Sequence, residues 1–400
     1  MRKHEWPLLF AIFLDLVGFG MAFPDIQTRA ELYLRNAGVA FPGTIIGILL
    51  SAYFVTQILA SPKWGALSDR IGRKPVLLTC TAMSSLSMVA YALVSSWEGI
   101  LASRILAGLA AANVVVAQAY IADTSNDEER PRAMGRIGAA ISLGLVGGPA
   151  IGGWLATLGD ANFRSGNFLM GIVAASASAF ACLWIFFGVP HLPPSEARRP
   201  GARKAFDLTL LKELPSLRRL FLISSVGWLA LACLEGTFGR LIKLKLGLGP
   251  QEFGWIFGYE SLLGAFVSWF LLDWITRKFS EAPLLRGGYV LQGIGLAITP
   301  FAPALGFLFL ASTLYALGSG VANPTINSLC SQATPASRQG EMFGLLQGAR
   351  SFGFIVGPIL GGTLFDLRAE LPYLVAGAAA LAAACLIASP KKPILETGSA

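Results

Sequence analysis

About twelve successive apolar runs, each close to 20 residues long and ended by charged or Pro/Gly-containing breaks, constrain this chain more than any other feature. A run of about 20 apolar residues crosses a ~30 Å hydrocarbon core as a helix. The runs fall near 7–27, 41–61, 75–95, 98–121, 133–157, 167–188, 219–239, 251–275, 283–303, 305–330, 340–364 and 372–389, with the junction at Pro303 the least sharply marked. They lack the alternation of a barrel strand, and lipid offers no partner to an unpaired backbone group, so helices are expected throughout. Composition agrees: 54% of residues are hydrophobic and 14% charged, against about 25% charged in soluble domains. The expected fold is an all-α integral membrane protein of twelve transmembrane helices.

Charge placement orients it. With both termini cytoplasmic, 22 of the 31 Lys and Arg residues fall on the inner face. Seven fall on the outer face (Arg29, Arg35, Arg164, Arg240, Lys243, Lys245, Arg368) and two within spans (Arg104, Arg350). This obeys the positive-inside rule. The net charge of +8 therefore follows from topology, and no nucleic-acid partner is implied. The start "MRKHEWPLLFAIFL" has the basic end and apolar centre of a signal peptide, but it runs through Asp15 with no small-x-small site and is read as an uncleaved first span. The five cysteines sit in apolar runs without CxxC spacing, and both histidines, His4 and His191, fall on the cytoplasmic side. No metal site or cofactor is expected. The expected setting is a cell inner membrane, with the chain acting as a monomer in contact with the bilayer.

The polar segment "HLPPSEARRPGARKAFDLTLLKELPSLRRL" divides the chain into an N-terminal six-helix bundle (1–190), a cytoplasmic linker (191–217) and a C-terminal six-helix bundle (218–400). The stretches "GLVGGPAIGG" and "GFIVGPILGG" support the division, because they repeat the frame GxxxGPxxGG at a constant offset of 209. Asn113 and Asn323 also recur in spans four and ten, one residue out of that register. Parallel halves of this kind can rock about a central site; a duplicated scaffold without transport is the alternative. Gly144, Gly148, Gly152 and Gly153, with Gly353 and Gly357 in the second copy, are expected to let helices approach closely where lipid gives no hydrophobic drive for association. Pro149 and Pro358 each remove a backbone donor and are expected to bend their helices.

Between spans two and three stands "WGALSDRIGRKPVLL". A short basic turn obeying the charge rule accounts for Arg70, Arg73 and Lys74 but not for the whole arrangement. Gly65 is suited to close approach, Gly72 to the turn, and Asp69 to a helix end, where its carboxylate would interact with the N-terminus of a neighbouring helix and latch an inner gate.

These residues carry a resemblance. "GALSDRIGRKP" resembles the loop between spans two and three of the major facilitator superfamily, and "RILAGLAAANVVVAQAYIAD" resembles its arginine-bearing fourth span. "GLVGGPAIGG" is similar to the fifth-span signature of its drug:proton antiporters. "LDLVGFGMAFPDI" and "SRILAGLAAANVVVAQAYIADTSNDEERPRAMG" resemble the first and fourth spans of its twelve-span exporters, tetracycline efflux pumps included. The resemblance implies two pseudo-symmetric six-helix halves, transport of a small molecule, and a coupling or binding role for Asp15 and Arg104. Tetracycline specificity is not implied: the acidic residues of spans three and nine and the histidine of span eight have no counterpart here.

Intramembrane charges cost at least ~2.5–3.5 kcal/mol each and usually face a cavity. Asp15, Glu235 and Glu260 are the candidates for carrying a proton, with Glu260 first. Arg104 and Arg350, joined by Asn113, Gln118, Phe19, Trp228 and Tyr259, are candidates for the substrate cavity. For Arg104, Arg350 and Asp15 a packing role is an equal alternative. The functional expectation is a proton-coupled antiporter exporting small amphipathic organic compounds by alternating access. The alternatives are a carrier of a defined metabolite such as a sugar or carboxylate, or a receptor without flux. An enzyme is not expected: no GxxxxGK[ST] loop is present and no histidine lies within a span.

Overall fold

The computed structural model describes residues 5–125, 129–162, 165–191, 209–335 and 338–387. His4, Arg164 and residues 192–208 of the expected linker lie outside the described residues. Among the described residues twelve spans are present, as the apolar runs predict. They are α1 (Glu5–Asn36), α2 (Pro42–Ile71), α3 (Arg73–Leu93), α4 (Trp97–Thr124), α5 (Arg130–Asn162), α6 (Gly166–Gly188), α7 (Pro215–Leu246), α8 (from Pro250–Phe266), α9 (Glu281–Ile298), α10 (Leu305–Gln332), α11 (Gln339–Leu367) and α12 (Leu371–Leu386). Nine are long and apolar enough to cross a membrane on those grounds alone. Of the other three, α8 is carried through a π-helical turn at Val267–Leu271 into Leu272–Thr276, and α9 and α12 are the short ones. A two-residue turn at Ala111 and Ala112 interrupts α4, and a 3-10 turn, Thr299–Phe301, breaks the chain near Pro303.

The duplication is visible in which helices pack together. In the first half α1 lies on α5 and α6, α3 on α6 and α4, and α2 on α4; in the second, α7 lies on α11 and α12, α9 on α12 and α10, and α8 on α10. Between the halves α2 meets α11 and α5 meets α8, again as equivalents.

The repeated glycine frame makes these contacts possible. A Cβ at Gly148 would stand 2.7 Å from the Gly20 backbone, and one at Gly357 would stand 2.6 Å from Ala232, so α5 seats on α1 as α11 seats on α7. Gly152 lies on Met21 in the same way that Gly361 lies on Cys233. The last glycine of each frame faces the opposite half, Gly153 against Pro250 of α8 and Gly362 against Gly43 of α2. Pro149 and Pro358 sit inside continuous helices. Their carbonyls meet Gly254 and Gly47 across the seam.

Two faces follow from the up-and-down topology: a terminal face, bearing Glu5 and Ile387, and a distal face. On the terminal face the turn between α2 and α3 is locked inside the first half. Arg73 bridges Asp69 at 2.5 Å and Asp123 at 2.9 Å, and donates to Ser68 at 2.6 Å. Asp69 therefore meets Arg73, the first residue of α3, and a Cβ at Gly65 would meet nothing within 4 Å. Both ion pairs of Arg73 stay within the first half. Arg70 is exposed. Gly72 holds φ +95° and ψ 157°, a conformation essentially restricted to glycine. In the second half Arg338 joins Glu341 at 2.8 Å and also pairs with Glu213, tying the short helix Thr209–Glu213 to the start of α11; these carboxylates hold the guanidinium above its ordinary pKa, the Glu341 hydrogen bond foremost.

Gly72→Ala should cost about 1–3 kcal/mol and lower the thermal midpoint in detergent, whereas Gly65→Ala should leave it unchanged. Equal effects of the two substitutions would refute the assignment of strain to Gly72 alone.

Candidate functional site

On the distal side the halves are joined by a buried polar seam. Asp366 of α11 accepts from the Gly43 N–H at 2.8 Å and the Thr44 N–H at 3.2 Å, the unpaired donors at the start of α2. Arg240 of α7 donates to Asp366 at 3.1 Å and to Glu31 of α1 at 3.3 Å, with its guanidinium 4.3 Å from the Phe365 ring centre. Arg240 and the Asp366 side chain are each only 4% exposed. Thr44 and Thr363 share a hydrogen bond of 3.0 Å, and Ser51 donates to the Ile355 carbonyl at 2.6 Å. A cavity of about 320 Å³, bordered by Arg35, Arg240, Asp366 and Arg368, opens beside this seam on the distal surface. It is separate from the intramembrane carboxyls.

The α2–α11 side of the seam runs down to the stack of Phe54 on Phe354, 4.7 Å between ring centres. From there an aromatic series extends into both halves. Phe54 meets Tyr53 at 5.0 Å and Tyr53 meets Phe19 at 4.4 Å, while Phe354 meets Trp228 at 6.0 Å. Arg350 lies over both Trp228, at 4.8 Å, and Phe354, at 5.8 Å. Further toward the terminal face, a Cβ at Gly135, Gly138 or Gly344 would meet nothing within 4 Å. The seam contacts described above lie on the distal side, from Gly43 and Gly362 down to Phe54 and Phe354.

At this level the charges gather. Glu235 of α7 interacts electrostatically with Arg350 of α11 and with Glu260 of α8, which lies near Ser312 of α10. All three charged residues are half-buried. Two carboxyl groups and one guanidinium in an aromatic setting, beside the contact between the halves, can hold a cation or a proton and partner an anionic group.

Other candidates lie elsewhere. Asp15 is inside the first half, not on the cavity wall: it accepts hydrogen bonds from Asn113 of α4 and from Ser178 of α6, the latter at 2.8 Å, with Ser84 of α3 at 3.4 Å. Asn113 is consequently drawn inward as well. Arg104, 2% exposed, packs over Tyr91 at 5.2 Å, and its Nε has no hydrogen-bond partner among the described residues. Gln118 is exposed on α4. Tyr259, adjacent to Glu260 in sequence, points to Thr313 and Phe309 of α10 at an exposed position. Phe19 and Trp228 belong to the aromatic series.

Sequence reasoning passed over Asp25, Gln27, Glu31 and Asp366. The positive-inside rule weighs Lys and Arg, so acidic residues near the distal ends carried no signal in it. Asp25 is 1% exposed and holds Arg29 at 2.8 Å while accepting from Tyr91 at 2.7 Å. That pair, four residues apart on one helix, was legible.

Two repeated six-helix bundles around a charged intramembrane site define a multi-pass membrane carrier. The chain belongs to the Major Facilitator Superfamily, whose family model matches residues 6–241 and again 220–399. It is 28% identical over 372 residues to Multidrug resistance protein 1 of Bacillus subtilis (strain 168), covering 92% of this chain and 91% of that one. It is 24% identical over 394 residues to the Quinolone resistance protein NorA of Staphylococcus aureus (strain MSSA476), covering 98% and 97%. Its fold is similar to that of the nucleoside transporter NupG, with a TM-score of 0.75 at 15% identity over 96% of this chain and 98% of the other.

Asp15→Ala should orphan Asn113 and Ser178, at about 1–3 kcal/mol per buried polar group. A clear fall in thermal midpoint is expected, against little change for Glu260→Gln. The reverse order would place Asp15 in the transport site and Glu260 in the scaffold.

Proposed function

We propose that this chain is a proton-coupled antiporter that exports small amphipathic organic compounds by alternating access. It works as a monomer in a cell inner membrane with both termini cytoplasmic, and its two six-helix bundles, 1–190 and 218–400, are the moving bodies. The terminal face is then the cytoplasmic one, and the arrangement described is open to the inside.

The observation that carries this reading is the charge inventory of the seam. Were Glu235 and Glu260 both ionised beside Arg350, the site would carry one net negative charge away from bulk water. One proton, or one monovalent cation, cancels it. The empty site carrying neither is therefore costly, and crossing favours the forms loaded with one or the other. That is the condition for exchange. The aromatic series from Phe19 to Trp228 offers ring faces to an apolar or cationic body. The names of the relatives, multidrug and quinolone resistance proteins, support the same substrate class.

The energetics suffice. For a neutral substrate, one proton entering down a ~100 mV potential contributes ~2.3 kcal/mol, a gradient of roughly 40-fold at ~1.4 kcal/mol per tenfold. For a monovalent cation exchanged one for one, only the pH gradient drives transport.

The test is proton release from inverted vesicles energised to an acidic interior, with tetracycline, fluoroquinolones and cationic dyes added in turn. Alkalinisation on adding a compound, abolished in Glu260→Gln and in Glu235→Gln, is expected. A wild-type response retained in Glu260→Gln and lost in Glu235→Gln moves the proton to Glu235. No wild-type response to any compound sinks the antiport reading and favours the carrier of a defined metabolite.

A further inference from the structure

Gln27 of α1 is fully buried against the opposite half. Its amide oxygen accepts from the Gly239 N–H of α7 at 2.9 Å, and its amide nitrogen donates to the Glu235 carbonyl. Those two backbone groups are the donor and acceptor of one i→i−4 step of the α7 helix. A single side chain of the first half therefore takes both members of one ladder step in the second. The amide orientation is fixed by this pairing, since the reversed amide would set donor against donor and acceptor against acceptor.

The placement is not incidental to the duplication. Met21 and Cys233 take the same place beneath Gly152 and Gly361; six residues further along each helix stand Gln27 and Gly239. The two interacting positions are thus equivalents, and their contact lies on the pseudo-two-fold axis between the halves. Gly239 admits the amide because a Cβ there would lie 3.0 Å from its oxygen.

We propose that Gln27 is a positioning residue for Glu235, and that its amide trades places with the α7 ladder as the transporter alternates. This rests on the alternating-access reading above. With the outer side closed, Gln27 holds the Glu235 carbonyl and the Gly239 N–H. When α1 and α7 part, the two backbone groups bond each other and the amide meets incoming water. No buried backbone group is orphaned in either state, so the exchange avoids the penalty that would trap one of them. Because the carbonyl belongs to the residue whose carboxyl faces Arg350, the outer seal and the charge site are joined through one residue.

Amide hydrogen exchange of the full chain in lipid nanodiscs tests this, read at residues 42–46 of α2 and 362–367 of α11 and corrected for intrinsic rate. Gln27→Leu should speed exchange there on the order of tenfold at pH 5.5 and pH 8, as expected for loss of hydrogen bonds worth about 1 kcal/mol each. Gln27→Glu is the discriminating variant. Its carboxylic acid accepts and donates as the amide does, whereas its carboxylate cannot donate to the Glu235 carbonyl. The charged groups around the seat are Asp25, paired with Arg29 on α1; Glu31 of α1, paired with Arg35 and Arg240; Asp366 of α11, paired with Arg240 of α7; and Glu235, which faces Arg350 and Glu260. Gln27→Glu should therefore match wild type at pH 5.5 and Gln27→Leu at pH 8. Wild-type exchange in Gln27→Leu, or the same ratio to wild type at both pH values in Gln27→Glu, overturns the proposal; the second comparison stands even if the leucine variant does not fold. If the variants behave as expected but wild-type exchange ignores added tetraphenylphosphonium, the latch is supported and the antiport reading fails.

Discussion

Close approach of one helix backbone to another is the interaction on which the rest of this structure depends. In lipid the tails are as apolar as the side chains, so helices gain little by hiding apolar surface from one another. What they can gain is dense contact, and the glycines of the repeated frame supply it. Three glycines of each copy seat α5 on α1 and α11 on α7, and the fourth presses against the opposite bundle. The same element thus builds each half and closes the distal seam. A larger residue at Gly362 would strike the Gly43 backbone and hold the seam apart whatever the polar groups did.

Polar groups then divide by what surrounds them. Inside the first half, Asp15 and Asp25 are satisfied by neighbours of their own bundle, Asn113 and Ser178 for one, Tyr91 and Arg29 for the other. Such groups fix helices against each other, because withdrawing a partner would leave a charge unpaired in a dry interior. Across the seam, Asp366 and Arg240 also bind groups of the other half, and those bonds last only while the halves are together. Glu235, Glu260 and Arg350 form a third group. They influence one another yet stay partly open, which suits groups whose partners come and go.

Much of this was legible in the sequence. The twelve spans follow from apolar length, and the duplication from GxxxGPxxGG, because both are local patterns with one physical cause each. Glu235, Glu260 and Arg350 were marked as candidates by the cost of burying charge. Sequence could not separate them from Asp15 or Arg104, which carry the same cost: whether an intramembrane charge faces a cavity or its own bundle depends on helix rotation, and that is decided by packing partners far along the chain. Tyr259 shows the limit well, since it adjoins Glu260 and yet points to Thr313. Gln27 was invisible for a different reason. An uncharged amide has no composition signal, and its role depends on a backbone step more than 200 residues away.

The register of the two halves sets Glu235, Glu260 and Arg350 against their counterparts in the first. Gly47 meets Pro358 as Gly254 meets Pro149, and six residues on stand Tyr53 and Glu260. Two residues beyond Met21 and Cys233 stand Phe23 and Glu235, and three before Gly144 and Gly353 stand Ile141 and Arg350. At each of these three positions the first half carries an aromatic or aliphatic residue. The contacts that close the seam kept both copies because closure needs matching surfaces on both sides. A doubled charge set would instead place four carboxyls around one small site, and like charges repel strongly where water is scarce. One set facing an apolar wall avoids that repulsion, so these charges belong to the second half and the rings and aliphatic groups opposite them to the first.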